Sequence, residues 1–368
     1  MDRIAGIINL DHEQDLLDEL TYFRCGAAVP FAGRYRMIDF AISNMANSRI
    51  ESIAVFARRK YRSLMDHLEQ GKAWDLDRRS GGLFILPPDW NDPTDMSRGD
   101  LQHFHNNMDF IQRARADYIL VSGSQNICNI NFQDVLQEHK EANADVTVIY
   151  KEVDELYPEH RLAHKLDIDE QNEVLDINND QKSTKVYMDM YLIEKNFMNK
   201  LIEESIAHGH SHFFLEGIKG RLQEMRVHAY EYKGTHALVN SVESYFRNSR
   251  KLLNREEHDG LFKEDSPILT KVKNEAPAKY LQDSDVKNTL VANGCVVHGH
   301  VEDSILFRGV KIGKGAVIKN SIIMQRCEIE DNAVLENVII DKDCKITGGR
   351  TFIGAPEKPY VLAKRKSM

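Results

Sequence analysis

The chain has 368 residues, 42% hydrophobic and 29% charged, with a formal net charge of −9. That length suggests two domains, and the composition is that of a globular chain, not a disordered one. The acidic balance disfavours nucleic acid and anionic membrane as partners, while local clusters of Arg and Lys leave room for a small anionic ligand.

The N-terminal stretch "MDRIAGIINLDHEQ" meets charge too early for a signal peptide. No apolar run approaches the roughly 18–20 residues of a membrane span. The five cysteines, Cys25, Cys128, Cys295, Cys327 and Cys344, form no CxxC pair, which fits a reducing compartment. The reading is a cytoplasmic protein.

In chain order, "RIAGII", "SIAVFA", "DYILVSG" and "DVTVIY" are short β-rich runs. "IDFAISNMANSR", "YRSLMDHLEQG", "LQHFHNNMDFIQRAR" and "FQDVLQEHKEAN" carry apolar residues at helical spacing. Strand–helix alternation predicts an α/β domain, Rossmann-like, with a mostly parallel sheet and helices on both faces, over residues 1–254. Ligands bind such sheets at the carboxyl ends of the strands, here Ile8–Leu10, Ala57–Lys60 and Gly123–Asn126. The first of these ends runs into "DHEQDL", which carries Asp11, Glu13 and Asp15 and no glycine. The polar stretch 255–285 reads as a connector with one or two strands.

Residues 286–368 repeat. "KIGKGAVIKNSIIMQRC" aligns with "EIEDNAVLENVIIDKDC" at a period of 17, matching Ile312 with Ile329, Ala316 with Ala333, Asn320 with Asn337 and Cys327 with Cys344. "CVVHGHVEDSILFRGV" is a looser earlier copy and "KITGG" begins a later one. Short β-runs with Gly or Asn turns at fixed period predict a solenoid, a left-handed parallel β-helix, with Ile312, Ile318, Ile329 and Ile346 stacked inward. So short a solenoid should dock on its own N-terminal domain or on another subunit.

The stretches "AAVPFAGRYRMIDFAISNMANSRI", "KYRSLMDHLEQGKAWDLDRRSGGLFILPP" and "SRGDLQHFHNN" resemble the glucose-1-phosphate adenylyltransferase (ADP-glucose pyrophosphorylase) family. The fit is closest to the divergent second bacterial subunit that accompanies the catalytic one in glycogen synthesis. The resemblance implies a nucleotidyltransferase-like domain followed by the β-helix. It also implies a reaction in which ATP and glucose 1-phosphate give ADP-glucose and pyrophosphate, with Mg²⁺, Arg, Lys and backbone amides neutralising charge.

Set against that pattern, the chain departs at the positions that handle phosphate. The glycines of the family's GGxGxRL loop fall at Asp11, His12 and Gln14, and its arginine at Leu16. Side chains there crowd the backbone approach that glycine permits. Each carboxylate opposing a phosphate charge at about 5 Å and an effective dielectric near 20 costs roughly 3 kcal/mol. A family lysine falls at Gly26, and the two metal-binding aspartates fall at Ser124 and Leu238. The sugar-phosphate lysine has no clear equivalent, Lys182 and Lys185 being the nearby substitutes. Mg²⁺ needs oxygen ligands, usually including carboxylates, which Ser and Leu do not supply. These losses, separate in sequence, imply a silent or feeble subunit without a cofactor of its own, Mg²⁺ belonging to the catalytic partner.

Basic residues remain: Arg24, Arg34 and Arg36 around "AVPF", then Arg58, Arg59, Lys60 and Arg62. The resemblance makes them candidates for an anionic effector at a subunit junction, with Arg58 standing where the family has a nucleotide-facing glutamine; surface charge and intersubunit ion pairs are the plainer alternative. The loop "WDLDRRSGG" contributes Trp74, Asp75, Asp77, Arg78 and Arg79 as a candidate subunit-coupling element. His103 and His105, two apart on a helix, face different sides and do not read as a metal pair.

The leading reading is a regulatory subunit joining the catalytic adenylyltransferase subunit in a mixed tetramer, with a homo-oligomer as the alternative when alone. An active adenylyltransferase with unusual ligands and a stand-alone sensor of sugar phosphates or nucleotides stay open.

Overall fold

The computed structural model describes residues 2–11, 13, 17–88 and 99–368. The chain opens with β1 (Ile4–Asn9), then a small antiparallel ribbon of β2 (Pro30–Phe31) and β3 (Tyr35–Arg36) leading into helix α1 (Met37–Asn47). β4 (Ser52–Phe56), α2 (Arg62–Leu68) and β5 (Gly82–Leu86) follow, then α3 (Leu101–Asn106) and α4 (Met108–Arg113). Next come β6 (Tyr118–Ser122), β7 (Asn126–Cys128), α5 (Phe132–Glu141), β8 (Val146–Glu152), β9 (Lys165–Ile168) and β10 (Val174–Asn178). The domain ends with β11 (Lys185–Glu194), α6 (Lys195–Ala207), β12 (Val227–Glu231), β13 (His236–Leu238) and α7 (Val242–Lys251).

The four apolar runs read as strands are β1, β4, β6 and β8. The parallel part of the sheet is β5-β4-β1-β6; β11 then runs antiparallel to β6 and to β8, and β12 closes the far side parallel to β8. β1 is buried along its whole length. Its alternating side chains therefore feed two cores. Ile4 and Ile8 pack with Ile38, Ile42, Leu64, Phe132 and Val135 on the α1–α2–α5 side. Ala5 and Ile7 pack with Leu101, Phe104, Ile111, Met198 and Leu201 on the α3–α4–α6 side. Gly6 lets α1 approach, since a Cβ there would sit 2.5 Å from the Met45 sulfur. "LQHFHNNMDFIQRAR" forms two short helices broken at Asn107, whose φ −110 and ψ 21 leave the helical region.

The stretch 255–285 opens on a helix, α8 (Arg255–Leu261), and reaches its first strand at Lys279–Tyr280. The C-terminal repeats then form three five-stranded parallel faces, consistent with a left-handed parallel β-helix. Ile312 pairs with Ile329, Ile318 with Leu335 and Ile322 with Ile339, the register the repeat implied. Ile312, Ile318, Ile329 and Ile346 all point inward. One corner is turned by Asn288, Asp303, Asn320 and Asn337, each at positive φ, which Asn and Asp tolerate better than other side chains. The earlier copy reads as looser because its coil is two residues shorter: Val296 stacks on Lys311, whereas Lys311 stacks on Glu328.

The solenoid docks on its own N-terminal domain. Ile305, Phe307, Ile322, Met324 and Ile339 share one buried core with Val29, Phe31, Phe40, Val242, Tyr245 and Phe246. Tyr245 Oη donates to the Pro30 carbonyl at 2.7 Å. "AVPF" is thus the joint between the two architectures.

Candidate functional site

At the carboxyl end of β1 the chain turns through Asp11, and its side chain points inward. Asp11 Oδ2 accepts from His103 Nδ1 at 2.7 Å and lies 3.1 Å from Arg58 Nη2. His103 stacks on Phe56 with ring centroids 4.4 Å apart and bonds the Leu86 carbonyl through Nε2 at 3.1 Å. Arg58 also donates to the Gly99 carbonyl at 3.0 Å. Asn9 extends the network: its Oδ1 accepts from the Asp11 amide, and its Nδ2 donates to Asp100 at 2.7 Å.

Two sequence readings change here. The acids were expected to face the phosphate space, but Asp11 is buried against a cation and a histidine. Arg58, grouped with the effector candidates, is 7% exposed and engaged by Asp11. Asp11 and Arg58, separate in sequence, thus meet in one buried contact. His103 joins them through a hydrogen bond that helix spacing could not reveal.

Glu13 reaches across to the carboxyl end of β6, where its Oε1 accepts from the Ser124 amide and its Oε2 from the Ser124 hydroxyl at 2.9 Å. Leu238 comes to the same place because β13 pairs with β7, setting Leu238 opposite Asn126. Glu13, Asn126 and Leu238 line a cavity of about 150 Å³ with Tyr187 and Asp189. Asp189 sits at an irregularity of β11 with φ 56, and its Oδ2 lies 3.0 Å from where a Cβ on Gly123 would be.

Residues 16–230 match the nucleotidyl transferase family, and residues 276–358 match the GlmU-like C-terminal hexapeptide family. The glycogen biosynthesis protein GlgD of Bacillus subtilis (strain 168) is 38% identical over 322 residues, covering 86% of this chain and 83% of its own length. GlgD of Geobacillus stearothermophilus is 41% identical over 317 residues, with the same coverage of 86% and 83%. The glucose-1-phosphate adenylyltransferase of Clostridium perfringens (strain 13 / Type A) is 33% identical over 328 residues, 86% of this chain and 82% of its own. The chain belongs to the glucose-1-phosphate adenylyltransferase family.

The resemblance implies that phosphate and metal would lie between the carboxyl ends of β1 and β6. Here that space is crossed by the Glu13–Ser124 bonds. Of the two positions that the resemblance assigns to metal aspartates, Leu238 offers no donor, and the Ser124 hydroxyl is engaged by Glu13. Among the described residues no group of three or more His, Cys, Asp or Glu side chains assembles. Leu238 and the engaged Ser124 hydroxyl do not fit the Mg²⁺ that the resemblance implies. Of the other degenerate positions, Gly26 opens the turn Gly26–Ala28 leading into the joint. His12, Gln14 and Leu16 lie outside the described residues. Lys182 is exposed on a turn and Lys185 opens β11; neither lines the cavity.

The remaining basic candidates separate. Arg34 stacks over Tyr35, Lys60 Nζ donates to the Thr21 carbonyl at 2.8 Å, and Arg59 and Arg62 are exposed. Arg24 and Arg36 converge at the adenylyltransferase–solenoid joint. Arg24 Nη2 meets Asp341 Oδ1 at 2.6 Å, both side chains buried. Arg36 Nη1 donates to the Ser63 carbonyl at 2.6 Å, and burial lowers its pKa to about 10. The solenoid adds Lys342, a residue missed in the sequence, which burial and then Arg36 and Arg24 bring down to about 6. The repeat did carry a signal: Asp341 and Lys342 stand where the preceding coil has Met324 and Gln325.

A lysine depressed in the folded state makes folding release a proton, so its penalty grows as pH falls from the ordinary lysine range to about 6 and is complete below that. Lys342→Met is expected to raise stability at pH 7 by about 1–3 kcal/mol, allowing for partial solvent access, and to flatten the pH dependence above pH 6. Urea unfolding across pH 6–10 checks this.

The loop after α2 is pinned by Trp74, whose Nε1 donates to Ser43 Oγ at 3.1 Å, and by buried Leu76. Between and beyond these anchors Asp75, Asp77, Arg78 and Arg79 face outward, with Arg78 bridging Asp75 and Glu51 at 2.6 Å each.

Proposed function

We propose that this chain is a regulatory, non-catalytic or weakly active subunit of glucose-1-phosphate adenylyltransferase in glycogen synthesis, cytoplasmic, and part of a mixed tetramer with a catalytic subunit that holds the Mg²⁺. The observation that carries this reading is the pair of self-contacts in the phosphate region: Glu13 on Ser124, and Asp11 on Arg58 and His103. Each satisfies internally a group that a phosphate loop would keep available. The curated relatives named GlgD support the pathway by their names.

Regulation is a free-energy difference between catalytic subunits bound and unbound to this chain. The charged face of the Trp74 loop is the proposed coupling surface, since its buried anchors hold four charges outward on a fixed frame. Arg36 and Lys342 are the proposed site for an anionic effector. An anion there would restore the proton that Lys342 gives up on burial, so binding should take up a proton and tighten as pH falls toward 6.

The test is a three-way assay with ATP, Mg²⁺ and glucose 1-phosphate. The purified chain should release little pyrophosphate, and the catalytic subunit should change its kcat or KM when co-purified with it. Sustained turnover by this chain alone, lost on Ser124→Tyr with the fold intact, would overturn the reading.

A further inference from the structure

Lys165, at the start of β9, is 1% exposed. Its Nζ donates to the carbonyls of His160 at 2.5 Å and Ala163 at 2.8 Å, and no carboxylate is paired with it among the described residues. Two carbonyl dipoles only partly offset a buried ammonium, which has a third N–H to give. Burial lowers its pKa, with Asp180 acting in the opposite sense. Asp180 itself sits on an exposed turn, where its carboxylate accepts from the Lys182 amide at 2.9 Å.

Lys165 lines a cavity of about 420 Å³ with Leu156, Tyr157, His160, Arg161 and Gln181. This cavity shares no lining residue with the one beside Glu13, which His164 borders: successive side chains of an extended chain point to opposite sides. His160 is 6% exposed, and its Nδ1 accepts from the Tyr157 amide at 3.0 Å. Burial lowers its pKa, so the neutral ring carries its proton on Nε2 and can donate there. Arg161 is exposed at the same rim. No carboxylate lines the cavity among the described residues. The acids of the same segment are turned elsewhere: Glu155 accepts from Tyr157 Oη at 2.8 Å, and Glu159 pairs with Arg247. Arg247 and Lys251 stand 4.7 and 5.0 Å from the centre of the Tyr157 ring and add positive charge beside it.

We infer that this cavity binds the phosphoryl group of a small anionic ligand, with Lys165 Nζ, His160 Nε2 and the Arg161 guanidinium as its donors. Charge-assisted bonds from Lys and Arg are the strong ones for a phosphate oxygen, and the anion supplies the counter-charge that Lys165 lacks. The volume of about 420 Å³ lies in the range of small-molecule sites, and Leu156 and Tyr157 offer apolar surface to the carbon part of an ester. The inference does not depend on the regulatory reading, and the anion site proposed at Arg36 and Lys342 is built from other residues.

Calorimetric titration of the full chain tests it, with inorganic phosphate and glycerol 3-phosphate as probes, in a Lys342→Met background that disables the other proposed anion site. Binding of at least one probe is expected, weakened about ten-fold or more by Lys165→Met, the loss of one charged hydrogen-bond donor. Lys165→Met keeps the apolar stem in place; should it unfold the chain, Arg161→Glu, at an exposed position, is read instead and should lose a similar factor by reversing the charge at the rim. Tighter binding of the ester would show that Leu156 and Tyr157 meet its carbon part, and tighter binding of the free ion that they do not; with the loss in the variants, either order supports the phosphoryl site. Absence of binding by both probes at millimolar concentration overturns the inference and leaves Lys165 as a tie between its two carbonyls. An affinity unchanged in the folded variant overturns it as well, since the ion would then sit elsewhere. Neither nucleotide nor catalytic subunit enters this readout, so failure here leaves the regulatory assignment standing, and an active chain would sink that assignment by a separate measurement.

Discussion

Replacing Asp11 by alanine should lower the free energy of unfolding by about 3–5 kcal/mol, because the buried Arg58 would lose its Asp11 carboxylate. The side chains of Asp11 and Arg58 are 0% and 5% exposed, so water cannot easily replace the lost partner. His103 would lose the acceptor at Nδ1 as well. The double replacement Asp11→Gly with Arg58→Gln should be less destabilised than Asp11→Ala alone, since it removes both charges together. Urea titration of the single and double variants decides the point. A loss below about 0.5 kcal/mol in Asp11→Ala would mean that the pair contributes no more than a surface contact. On the proposed reading the double change would confer no catalysis, because Glu13 still holds Ser124 and Leu238 still lacks a donor.

Arg24→Ala should have an effect of similar size, about 3–5 kcal/mol, by stranding Asp341 at the joint. The side chains are 4% and 2% exposed, and Arg24 Nε also donates to the Leu20 carbonyl at 2.9 Å. Arg24→Met combined with Asp341→Leu should recover most of the loss, since apolar pairs of similar volume replace buried ion pairs at little cost. Met324 and Tyr245 offer apolar surface beside the pair. Thermal unfolding of the single and double variants measures both. Equal destabilisation of the single and double variants would show that packing of the arginine stem, and not its charge, holds the joint.

Strand and coil positions were legible because their signals are local. Alternation in "RIAGII" reports two buried faces, and a fixed period reports stacked coils before any contact is known. That Ser124 and Leu238 carry no carboxylate is equally legible, since it depends only on residue type. Side-chain direction was not. Whether Asp11 faces a phosphate or a protein cation depends on Arg58 and His103, far away in sequence and brought together by parallel pairing of β1 with β4 and by packing of α3. Separate losses along a chain therefore need not be separate events in space. Lys342 was hidden for a different reason: in a repeat the eye follows what recurs, and the informative residues are those that break the pattern at one coil.

The shared core at the joint has a consequence for how such a chain can change. Phe31 and Val29 belong to the motif that marks the transferase, yet they are buried against Ile305, Phe307 and Ile322 of the solenoid. A change of chemistry at the sheet would not release them, because their burden is architectural. A descendant could drift freely at the mouth of the sheet, but discarding either half would leave an oily scar on the other.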